Sequence, residues 1–94
     1  MKITVSVTTT HIAAGACGSI TRNPLSLAIA DSVPGLAGDV EVYPVSRMVT
    51  TWLAGEIRVD GELPWDAAEL ARRFHRSLPV EALQFELVLE AAQS

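Results

Sequence analysis

Asp39-Val-Glu-Val-Tyr-Pro-Val-Ser-Arg-Met-Val-Thr-Thr-Trp-Leu-Ala-Gly-Glu-Ile-Arg-Val-Asp-Gly61 is the stretch on which the fold turns. Val40 and Val42, extended to Val45, are expected to form a strand, with Pro44 favouring an edge or a bulge. Glu56-Ile57-Arg58-Val59 alternates again, and Asp60-Gly61 is a turn pair. Met48 to Leu53 is β-prone but runs into Ala54-Gly55. A single hairpin across residues 39–60 is the simplest expectation.

Towards the N-terminus, Ile3, Val5 and Val7 alternate with Thr4, Ser6 and Thr8, the pattern of a half-buried strand. Thr10 is placed to cap one helical turn, His11 to Ala14, which Gly15 ends. Gly15 to Thr21 reads as a loop. Asn23 and Pro24 then mark the N-cap and first position of an apolar helix, Leu25 to Val33, closed by Pro34-Gly35.

Towards the C-terminus, Asp66 and Glu69 have the spacing of a capping box. Ala67, Leu70, Ala71, Phe74 and Leu78 form a core-facing stripe that Pro79 ends. Leu83, Phe85, Leu87 and Leu89 predict a last strand, with Glu90 to Ser94 as a frayed tail. The order strand, helix, strand, strand, helix, strand is that of a ferredoxin-like (split β-α-β) domain. The expectation is therefore one α+β domain over residues 1–94, with a four-stranded sheet and two helices on one face.

Composition sets the outer limits. Ninety-four residues, 49% hydrophobic with net charge −4, suit one small core and exceed what a disordered tail carries. The apolar excess over so small a core predicts a homo-oligomer. Cys17 is the only cysteine, so no disulfide forms within the chain. Ile3 to Thr21 has no charged residue, but five Thr, two Ser, two Gly and His11 make it too polar to span a membrane. Lys2 with Ala14-Gly15-Ala16-Cys17 faintly suggests a lipoprotein leader. The alternation from Ile3 argues instead for a strand in a cytoplasmic protein. Residues 48–94 hold eight acids against four arginines and no aromatic-interleaved basic run, which disfavours nucleic acid.

Several clusters have chemical potential, each with a plainer alternative. Cys17 with His11 offers a thiol and a base, without a recognisable hydrolase signature. His11, Cys17 and His75 lack metal-ligand spacing, so neither a metal nor another cofactor is expected. Gly15 to Ser19 can form one wall of an anion pocket, with Ser19, Thr21 and Arg22 as donors. Arg72, Arg73 and Arg76 make either a solvated helix face or a phosphate-binding patch. Trp52 and Trp65 are either interface anchors or lids on a small core.

His11-Ile12-Ala13-Ala14-Gly15 followed by Asn23-Pro24-Leu25-Ser26-Leu27-Ala28-Ile29 resembles a pattern in short proteins encoded by tailed bacteriophages and prophages of high-GC bacteria. Asn23 stands where that pattern carries a cysteine, so any redox or metal role of the cysteine is absent here. The resemblance implies a phage genomic setting. With the composition, it leads to the expectation of a non-enzymatic accessory protein that binds a host protein. The alternative is a binder that sequesters a phosphorylated or nucleotide signal.

Overall fold

The structure, a computed structural model, describes residues 1–92; Gln93 and Ser94, the end of the expected tail, lie outside the described residues. The elements in chain order are β1 (Lys2–Val7), α1 (Thr9–Ala14), α2 (Pro24–Ser32), β2 (Glu41–Tyr43), β3 (Met48–Leu53), β4 (Ile57–Glu62), α3 (Trp65–His75) and β5 (Leu83–Ala91). The five strands form one antiparallel sheet in the order β1-β5-β4-β3-β2. Mixed α+β is therefore correct. The four-stranded ferredoxin-like arrangement with two helices is not, because there are five strands and three helices.

The difference arises in residues 39–61. The chain reverses twice there, through Pro44–Arg47 and through Ala54–Glu56. Left-handed backbone at Arg47 (φ 61°), Gly55 (φ 86°) and Glu56 (φ 61°) makes both reversals tight. Met48–Leu53 thus becomes a strand flanked on both sides, pairing Val49 with Val42 and with Gly61. Its polar centre is satisfied: Thr51 donates to the Asp39 carbonyl at 3.1 Å and Thr50 to the Asp60 carboxylate at 2.9 Å.

Asp60-Gly61 is not a turn but lies within β4, towards its end. A Cβ on Gly61 would lie 2.7 Å from the Val88 carbonyl oxygen and 2.9 Å from Leu89 Cδ2. Only a glycine lets β5 approach so closely. Here β5 takes a partner on each edge: Leu83 to Val88 pair with β1 on one side, and Leu89 to Ala91 pair with β4 on the other. Glu90 and Ala91, expected in the frayed tail, are paired strand residues.

Period-two burial follows this register. Val5, Val7, Val42, Val49, Val59, Phe85, Leu87 and Leu89 face one core with Leu25, Ala28 and Ile29 of α2 and Ala67, Leu70 and Ala71 of α3. Each large aliphatic buried there contributes roughly 1.5–3 kcal/mol. The opposite face carries no helix. Helix α3 starts at Trp65 behind Pro64, which gives no side-chain cap, so the capping box expected at Asp66 and Glu69 does not form. Its end is fixed by Ser77 (φ 58°) and by Leu78 N–H donating to the Arg73 carbonyl at 2.9 Å. Leu78 therefore leaves the stripe and is exposed. Among the described residues no helix is long and apolar enough to cross a membrane.

Candidate functional site

The residues of the HIxxG and NP segments meet in one joint between α1 and α2. Thr8, not Thr10, caps α1. Its hydroxyl accepts from His11 N–H at 3.4 Å, and its own N–H donates back to His11 Nδ1 at 3.0 Å. That is a capping box with histidine in the place of glutamate. Because Nδ1 accepts, Nε2 carries the proton and donates to Asp31 at 2.6 Å, tying α1 to the far end of α2. Gly15 packs where a Cβ would sit 2.8 Å from Pro24 Cδ and 3.1 Å from Phe74 Cζ. Buried Asn23 accepts from Ser26 N–H at 2.9 Å and donates to the Ser19 carbonyl at 3.1 Å.

The hydroxyl, imidazole and carboxylate of Thr8, His11 and Asp31 stand in the order of a nucleophilic triad. Thr8 Oγ1 lies 3.1 Å from His11 Nδ1, but that nitrogen also accepts from Thr8 N–H, so the Thr8–His11 bonds close the cap while the His11–Asp31 bond ties it to α2. The spacing Thr8-x-x-His11 is the signal in the sequence that marks this cap. His11 and Cys17 do not meet. The Cys17 thiol donates to the carbonyls of His75 (3.1 Å) and Phe74 (3.5 Å), while Gly18 N–H donates to His75 Nδ1 at 3.1 Å. The loop is thereby docked on the C-terminal end of α3. Among the described residues, no three His, Cys, Asp or Glu side chains are grouped to hold a metal.

The expected anion donors divide. The Ser19 hydroxyl is used inside the loop, accepting from Thr21 N–H (3.3 Å) and Arg22 N–H (3.0 Å). Thr21 and Arg22 line a hollow of about 520 Å³ between α2 and residues 36–40, together with Ser26, Leu27, Leu36 and Asp39. Val40, Ala14 and Ala30 complete its apolar wall. Among the described residues, the Arg22 guanidinium has no hydrogen bond and no carboxylate within salt-bridge distance. Asp39 gives the same hollow a negative rim.

The arginines of α3 do not join Arg22. Arg72 donates to the Pro44 carbonyl at 3.2 Å and pairs with Glu69, and Arg73 donates to the Pro79 carbonyl at 3.1 Å. Both brace neighbouring loops. Arg76 lines a smaller, separate hollow with Arg72, His75, Pro44 and Val45.

The two tryptophans also part. Trp65 is 67% exposed, with the Arg47 guanidinium 3.8 Å from its ring centroid. Trp52 is half-buried on the helix-free face of the sheet. There Trp52, Tyr43, Met48, Arg58 and Glu41 surround Thr50, which is only 6% exposed although no helix covers it. The Tyr43 hydroxyl donates to Glu41 at 2.7 Å, and this bond holds its pKa above the usual tyrosine value of 10.0. Desolvation and the Glu41 charge act in the same direction, against Arg58. Sequence periodicity alone gives no sign of this cluster, because it depends on β3 being a strand. Neither a protein-family model nor a curated protein nor a solved structure matches the chain.

Proposed function

We propose that the chain is a non-enzymatic binding module whose ligand is a small molecule with an anionic group, seated in the hollow beside α2. One observation carries this reading: among the described residues Arg22 is an unpaired guanidinium, and it stands on a concavity of ligand size that also offers the Thr21 hydroxyl and an apolar wall. Asp39 on the same rim favours a ligand that also brings a hydrogen-bond donor, as a nucleotide or a phosphorylated sugar does. The resemblance to phage accessory proteins supports a setting in the cytoplasm of an infected host, where such a module would sequester a host signal. Thermal melting against a panel of linear and cyclic nucleotides and sugar phosphates tests it. At 100 times Kd, binding stabilises by about 2.7 kcal/mol, raising Tm by roughly 10 °C or more in a domain of this size. The shift disappears in Arg22→Ala. An absence of any shift across the panel removes the reading.

A second reading, a protein partner on the helix-free face, rests on Trp52, Tyr43, Met48 and Arg58 being gathered there. These residue types are enriched where proteins bind each other. Trp52→Ala then abolishes partner binding while leaving Tm shifts by small ligands intact.

A further inference from the structure

The two edges of the sheet are built differently. At the β2 edge the strand has three residues, Pro44 follows it, and Val42 N–H is taken by the Ile20 carbonyl at 2.8 Å. Leu36 covers the other end of that edge by bridging to Leu53. Short strands, proline and a covering loop are the usual protections of a sheet edge.

β1 has no proline and no covering loop, and its one charge, Lys2, lies at its start and is drawn to Glu86 of β5 at 3.0 Å. Met1 and Leu89 exchange both backbone hydrogen bonds, at 2.7 and 2.8 Å. Alternation in an antiparallel pair then directs the N–H and C=O of Ile3, Val5 and Val7 towards β5, and those of Lys2, Thr4 and Ser6 outward. No hydrogen bond within the described residues reaches these six outward groups. Backbone groups left unpaired within a chain are met by water or by another chain. β5 has a shorter open run beyond the end of β4, at Gln84 and Glu86.

We infer that β1 is the contact between two copies of this chain, pairing antiparallel about a twofold axis at Thr4. The strand is self-complementary in that register. Thr4 faces Thr4 of the second copy, and each Lys2 faces a Ser6, so all six outward groups are paired. Thr–Thr is a favourable cross-strand pair, and the two lysines lie at opposite ends of the seam. No acid lies on β1, and the nearest one, Glu86 opposite Thr4 on β5, is paired with Lys2 at 3.0 Å, so no unmatched negative charge stands at the seam. The product is a continuous ten-stranded sheet with a helix-free face on one side. This inference is independent of the proposed ligand.

Sedimentation velocity of the untagged chain, from micromolar to sub-millimolar concentration, tests it. The expected species has twice the 10.0 kDa chain mass. Thr4→Pro removes an outward N–H that the monomer does not use, and Thr4→Lys places like charges directly opposite each other. Both are expected to weaken dimerisation at least 100-fold while keeping the circular dichroism of the folded chain. Amide exchange gives a second readout that does not depend on either variant folding. The Lys2, Thr4 and Ser6 amides slow as concentration rises, while Gln84 and Glu86 do not. A wild-type chain that stays monomeric, a dimer that survives in folded Thr4→Lys, or a dimer that leaves the Thr4 amide unprotected would each overturn the assignment.

Discussion

The segment from Thr8 to Asp31 and the meander from Glu41 to Glu62 use their polar side chains in opposite ways. In the first, Thr8, His11, Ser19, Asn23 and Ser26 bond to nearby backbone, to one another or, for His11, to Asp31. They fasten two helices and a loop that have no ladder to hold them. In the second, backbone pairing holds the chain, and apart from Thr51, which is buried and bonds to the Asp39 carbonyl, a cluster of polar and aromatic side chains stands on an uncovered face. A run of polar residues is therefore poor evidence of a binding site until its backbone has been accounted for. Arg22 is notable because it lies in the first segment and behaves like the second.

Breaking the meander should cost most. Gly61→Val drives a side chain into the Val88 carbonyl and the Leu89 side chain, and the expected loss is about 3 kcal/mol or more, seen as a fall in the urea midpoint or as failure to fold. Breaking the joint should cost less. Asn23→Ala removes a buried cap with two bonds and is expected to lose about 2 kcal/mol in the same measurement. If Asn23→Ala costs as much as Gly61→Val, the joint is no mere fastening and the contrast fails. The smallest effect is spectroscopic. Tyr43 is the only tyrosine, so tyrosinate absorbance reports it alone. Its midpoint is expected above 10.0 and to return towards that value in Glu41→Ala. Because the folded pKa is raised, this bond's contribution to stability is full below pH 10.0 and is lost as pH rises through the raised value.

Helix α2 was fully legible, since Asn23, Pro24 and the apolar run obey local rules that the core does not override. Strands β1 and β5 were legible from period-two alternation. What could not be read was β3, whose Thr50 and Thr51 bury hydroxyls satisfied only by Asp60 and Asp39 across neighbouring chain segments. Gly61 misled for a related reason: a turn signal and a close strand approach call for the same residue. The candidate site was half legible. Thr21 and Arg22 do line one hollow, but the loop's own backbone claims Ser19, and the arginines of α3 brace loops elsewhere.

The staggered pairing along the two edges of β5 also bears on the order of assembly. β1 is made first, yet its strand partner is residues 83–88, so Lys2 waits for Val88. The local meander can form beforehand, and β1 then joins through contacts of the greatest sequence separation in the chain, which are slow to close. During that interval both edges of β1 are open rather than one. A growing chain therefore exposes an aggregation-prone strand until β5 is available, and crowded synthesis at high temperature is where this protein should be lost first.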